Sequence, residues 1–161
     1  MRYMIKQKFW SLREDFTIRD EQGNDQYFVD GQAFSIGKKL SFRNLQGEEL
    51  AYICEKLLAW GPTYEIHRPG CAVTVLKKEH FTFFHCDFVV DGPGDDDFEV
   101  KGNFMENEYE IMGKAGPAAH VSKQWFSPTD TYGIEIDEGD TVLLLATAVV
   151  IDLICHDGEF H

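Results

Sequence analysis

A chain of 161 residues that is 43% hydrophobic and 14% aromatic is sized for one domain, 1–161, burying about two-thirds of its unfolded surface. Its net charge of −13 is uneven: residues 91–161 hold 16 Asp+Glu against 3 Lys+Arg, whereas residues 1–90 balance 12 against 12. Such a surface repels phosphate backbones, which excludes general nucleic-acid binding and leaves room for one local basic patch in the N-terminal half.

The opening residues carry charge where a secretory signal needs an apolar stretch, so a cytoplasmic protein is expected. Residues 2–9 alternate as a strand, with Tyr3, Ile5, Gln7 and Phe9 on one face. Phe16–Asp20 and Gln26–Val29 flank a turn whose Gly23-Asn24 supplies the positive φ of a tight hairpin. Phe34 and Ile36 mark a short strand. Leu40–Arg43 and Leu50–Ile53 flank Leu45–Glu48, and Tyr64–His67 and Ala72–Leu76 flank Arg68-Pro69-Gly70. Phe81–Val90 reads as a strand packed on both sides, and 91–97 as a loop. Strands resume at 98–102, 109–112, 119–126 and 132–136, about twelve in all at the cadence of a sandwich or barrel.

The last element differs. Val142 to Cys155 is apolar on every face, begins behind Asp140 or Thr141 as a cap, and meets its first stop at Gly158. A helix that is apolar all round must be enclosed. At roughly 21 Å it is short of a bilayer core, and Asp152 interrupts it, so the expected wrapping is protein. A pair of buried strands is the alternative, which Val149-Val150-Ile151 alone would permit. Eight strands close around an interior filled by side chains, but about twelve leave a lumen that needs a plug. The expected fold is therefore mainly β: a closed antiparallel barrel of about twelve strands enclosing a C-terminal hydrophobic α-helix at about 140–156.

With these residues the chain resembles the LURP-one-related family, which has the tubby C-terminal-like fold and stands close to the tubby and phospholipid scramblase families. The likeness is carried by Ile5-Lys6-Gln7-Lys8, Phe16–Gly23, Phe34–Leu40, Gly47-Glu48-Glu49-Leu50, Ser122–Phe126 with Asp130-Thr131-Tyr132, and Val150-Ile151-Asp152. It implies the fold more firmly than an activity. Tubby domains are associated with phosphoinositide headgroups and scramblases with calcium and lipid, and the resemblance implies no catalytic motif and no cofactor.

Five cations are candidates for a headgroup site: Lys38, Lys39, Arg43, Lys77 and Lys78, which two strands and their turns could bring to one barrel rim. An ordinary solvated edge guarded by lysines is the competing reading. Asp95-Asp96-Asp97 offers oxygen ligands for calcium but lacks the spaced pattern of a calcium loop, so a plain acidic loop is expected. Asp152, buried on the helix, needs a partner; His156 one turn on, the Trp125 indole or a wall tyrosine would make it a structural latch. His85 and Cys86 point to opposite faces of a strand, and Cys54, Cys71, Cys86 and Cys155 have no C-x-x-C pairing, so no metal is assigned and reduced, buried thiols are expected. Trp10, Trp60 and Trp125 read as packing. The function expected is that of a non-enzymatic binding or scaffold protein recognising phospholipid headgroups or a membrane-associated partner. The alternatives are a soluble interaction module or homo-oligomer using a strand edge or acidic face, and an enzyme with a pocket at the barrel mouth.

Overall fold

Where apolar residues recur at every second position, the chain forms strands whose inward side chains are removed from water. The computed structural model describes residues 1–9, 14–32, 36–57, 61–78, 88–92, 97–104, 106–123, 131–137 and 139–156. Twelve strands precede one helix: β1 (Arg2–Phe9), β2 (Glu14–Arg19), β3 (Asp25–Gly31), β4 (Lys39–Asn44), β5 (Glu49–Glu55), β6 (Thr63–His67), β7 (Thr74–Lys78), β8 (Phe88–Asp91), β9 (Phe98–Asn103), β10 (Glu108–Gly113), β11 (Gly116–Ser122), β12 (Thr131–Ile136) and α1 (Thr141–His156). Each strand pairs antiparallel with the next, and β12 returns to β1 through Tyr3↔Ile134 and Ile5↔Tyr132, so the sheet is a closed barrel.

Every strand turns at least one fully buried residue inward, from Ile5 on β1 through Val100 on β9 to Ile134 on β12. The lumen they enclose is filled by α1. Every side chain from Leu143 to Val150 is fully buried, and the hydroxyl of Thr147, the one polar group among them, donates to Leu143 O at 2.7 Å. At ~10–12 Å across, a helix with its side chains suits the space that twelve strands leave open. The strand-pair alternative for 142–155 is thereby set aside.

The helix gives the barrel two unlike ends. At the entry end, Asp140 caps α1 by accepting the Leu143 N–H at 3.1 Å. Register shifts between Ile18/Arg19, Phe42/Arg43 and Ile111/Met112 all fall toward this end, where the partner strand carries one extra residue, Gln26, Leu50 and Ala118 respectively. The exit end carries the starts of β4 and β6, the ends of β5 and β7, and the last turn of α1.

Several boundaries differ from expectation. Ile36 is in no strand; Gly37, at φ +75°, breaks the extended chain before Lys39 opens β4. β7 begins at Thr74, two residues late, and β11 begins at Gly116, three residues early. Asp91 belongs to β8 instead of a loop. Phe34, residues 81–87, Gln124–Phe126 and the three tryptophans lie outside the described residues. No helix among the described residues is long and apolar enough to cross a membrane.

Candidate functional site

With α1 occupying the lumen, the chain's polar groups converge on its rims and outer wall, and the exit end gathers the lysines. Gly37 lets residues 36–38 turn tightly against the β5–β6 connection: a Cβ on Gly37 would sit 3.1 Å from Leu57 Cδ2. Backbone hydrogen bonds then join the neighbouring strand ends. Glu55 N donates to Lys38 O at 2.9 Å, Lys56 N to Thr63 O at 2.9 Å, and Lys78 N to Pro62 O at 3.2 Å. Glu55 Oε1 also accepts the Lys38 N–H at 3.2 Å.

Lys38, Lys39, Lys77 and Lys78 therefore share one end of the barrel, with Lys56 between them, a residue the sequence reading missed because nothing marks its strand end as adjacent. Two aliphatic side chains project from the same rim, Ile36 at 80% exposure and Leu57 at 55%. Arg43 is not part of this group. It lies four residues along β4, roughly 13 Å from Lys39 at the ordinary strand rise, with Nε 3.7 Å from Asp30 Oδ2 and Nη1 donating to Gly47 O at 3.0 Å.

Below the rim, the outer wall of β5 and β6 carries a second constellation. Ile53 and Ile66 point inward and face each other, so Cys54 and its partner Glu65 point outward, with His67 two residues farther on the same face. One ligand atom from each of Cys54, Glu65 and His67 lies within 4.8 Å of the other two, and all three residues are half-buried. The Tyr52 ring flanks His67 at a centroid distance of 6.4 Å. Burial pushes the Cys54 thiol up, Glu65 adds to the rise, and Lys39 and Lys56 oppose it. The expectation of buried thiols fails at Cys71, which is exposed in the turn after Gly70; Cys86 lies outside the described residues.

Asp152 is buried on α1, facing the wall tyrosines. Burial first, and then the Asp152 charge, pushes the Tyr109 and Tyr132 hydroxyls well above their ordinary range. The His156 side chain and Trp125, the other candidates for its partner, lie outside the described residues, as do His80, His85 and His161.

At the entry end, a groove of about 390 Å³ is lined by Asp91, Asp97, Glu99 and Lys114 over an apolar floor that includes Phe98 and Met112. Asp97 Oδ1 accepts the Gly92 N–H at 3.0 Å. Asp95 and Asp96 of the acidic triplet lie outside the described residues.

Barrel closure also revises one expected mode of interaction. Because β1 pairs with β12, the wall has no free strand edge among the described residues to add a partner's strand, and the lysines there are not guarding one.

The comparisons agree with this architecture. The model of the family described as LURP-one-related matches residues 1–152. The chain is 31% identical over 156 residues to the uncharacterized Bacillus subtilis protein YxjI, covering 96% of this chain and 94% of that one. Among solved structures, a protein from Arabidopsis thaliana superimposes with a TM-score of 0.65 at 15% identity, over 94% of this chain and 90% of that one, which shows a common fold.

Proposed function

The chain belongs to the LURP-one-related family, and from that premise we propose that it is a non-enzymatic binding protein that docks on a phosphate-bearing lipid surface through the exit rim of its barrel. The observation that carries this reading is the sharing of one rim by Lys38, Lys39, Lys56, Lys77 and Lys78 with the exposed aliphatic side chains of Ile36 and Leu57. Lysines beside an anionic leaflet contribute about 1 kcal/mol each, and projecting aliphatic groups add apolar burial at the headgroup boundary.

The spacing of the lysines favours a surface over a single-headgroup pocket. β4 and β7 are separated by three inter-strand steps, roughly 14 Å, so Lys38 and Lys39 meet different headgroups from Lys77 and Lys78. This reading implies a cytoplasmic, peripheral location. Arg43, engaged by Asp30 and Gly47, is left out of the docking surface.

Co-sedimentation with phosphatidylserine vesicles containing a phosphoinositide tests the proposal. Binding should fall as salt rises, be absent with neutral phosphatidylcholine vesicles, and be lost on Lys→Ala at 38, 39, 77 and 78 but retained in Arg43→Ala. Binding that persists in the quadruple variant, or no binding by the native chain, overturns it. A second reading, a soluble interaction module for a basic protein partner, is supported by the acidic groove of Asp91, Asp97 and Glu99. It requires a partner whose capture is lost on charge reversal there and is untouched by the lysine substitutions.

A further inference from the structure

We propose that Cys54, Glu65 and His67 form a three-ligand site for a divalent transition-metal ion, zinc foremost, on the outer wall of β5 and β6. This is independent of the lysine rim's docking role.

The register builds the site. Cys54 and Glu65 are direct cross-strand partners, and His67 shares the outward face of Glu65 two residues along, diagonal to Cys54. Their ligand atoms lie within 4.8 Å of one another, and His67 Nε2 is 4.0 Å from Glu65 Oε1. Around a tetrahedral zinc with bonds of about 2.0–2.3 Å, neighbouring ligand atoms stand roughly 3.3–3.8 Å apart. Small side-chain rotations close the remaining gap without moving either strand.

The donor set selects the ion. One thiolate, one imidazole and one carboxylate suit zinc and its neighbours, whereas calcium and magnesium call for oxygen ligands alone. Three protein ligands leave a fourth position for water or an external ligand. All three residues stand on paired strands, so the sheet holds them in mutual position. Lys39, the partner of Cys54 on β4, places a positive charge beside the ligand set.

The test uses the full chain, stripped with chelator, titrated with Co²⁺ and followed by absorption. A one-to-one titration with a thiolate-to-cobalt charge-transfer band and tetrahedral ligand-field bands, both displaced by one equivalent of Zn²⁺, is the expected result. Cys54→Ser should abolish the charge-transfer band, His67→Gln should weaken binding at least about tenfold, and Cys71→Ser, removing the exposed thiol, should change neither. Absence of the band in the native chain, its survival in Cys54→Ser, or undiminished affinity in His67→Gln overturns the site. The native titration decides the matter even if a variant fails to fold.

Discussion

Asp140 holds two structures together at once: Oδ1 accepts the Leu143 N–H at 3.1 Å to cap α1, while Oδ2 lies 2.5 Å from Arg68 Nη1. Arg68 belongs to the turn joining β6 and β7, and its side chain is only 7% exposed. The carboxylate thus fixes the start of the central helix to the wall that surrounds it. Asp140→Ala removes a cap worth about 1 kcal/mol and leaves a buried guanidinium short of a charge-assisted partner, a further ~1–3 kcal/mol. Urea unfolding should show a loss of about 2–4 kcal/mol. Asp140→Asn keeps the cap and should cost less; an Asn variant as stable as the native chain would show that the Arg68 ion pair contributes nothing, and equal losses in the two variants that the cap contributes nothing.

Gly102 on β9 faces Tyr109 on β10 more closely than any side chain permits. Its φ is +149°, and a Cβ there would stand 2.5 Å from both Glu108 O and Tyr109 Cα. Both obstacles are backbone, so relief requires the two strands to part. Gly102→Ala should therefore destabilise the barrel by about 2 kcal/mol or more, a strain effect well beyond an ordinary surface substitution. Gly116→Ala is the control, since its Cβ would meet nothing within 4 Å although its φ is also positive. Similar losses in the two variants would assign the cost to the dihedral and not to the close approach.

The fold was legible because its two signals constrain each other. A segment such as Leu143–Val150, apolar on every face, must be wrapped, and about twelve alternating strands supply a wrapping with room inside. Local punctuation was less legible: Ile36 reads as strand until Gly37 is seen to turn, and its exposure follows from that turn. The lysines were visible as residue types, but Arg43 could be separated from them only by the pairing that hands it to Asp30. The Cys54, Glu65 and His67 group depends on a register across the β5–β6 pair, which sequence spacing does not display. The signal that could have found it is the inward pair Ile53 and Ile66, since aligning those two residues puts Cys54 opposite Glu65 on the outer face.

Asp152 is proposed to act as a latch that sets the depth and rotation of α1. It is a buried carboxylate in the last two turns of a helix, where the dipole is unfavourable to negative charge, and it faces Tyr109 and Tyr132 on the wall. A group so placed is retained against a sizeable desolvation cost only through its polar neighbours. Asp152→Ala should lower stability by about 2–4 kcal/mol by orphaning its polar partner, and Asp152→Asn, which keeps the shape and the hydrogen-bonding capacity, by less. A melting temperature unmoved by Asp152→Ala would remove the latch.

The same wall predicts sensitivity to alkali. Tyr109 and Tyr132 are buried, and both hydroxyls are pushed well above the ordinary tyrosine value of 10.0, by burial first and then by the Asp152 charge. Because the folded value is raised above the unfolded one, the stabilisation is fully present below about pH 10 and is lost as pH rises toward the folded value. In that window the unfolded chain releases its protons first, at about 1.4 kcal/mol per pH unit for each tyrosine. Tyr132 isolates the effect, since its hydroxyl has no hydrogen-bond partner among the described residues. Tyr132→Phe should leave stability at pH 7 unchanged or raised by about 1 kcal/mol, the orphaned hydroxyl being removed without loss of the ring. Above pH 10 the variant should lose stability less steeply than the native chain, by the share of one tyrosine. Parallel pH profiles of urea midpoints for the two chains would contradict the assignment, whereas a difference that is constant near neutrality and widens above about pH 10 would locate the titrating group at Tyr132.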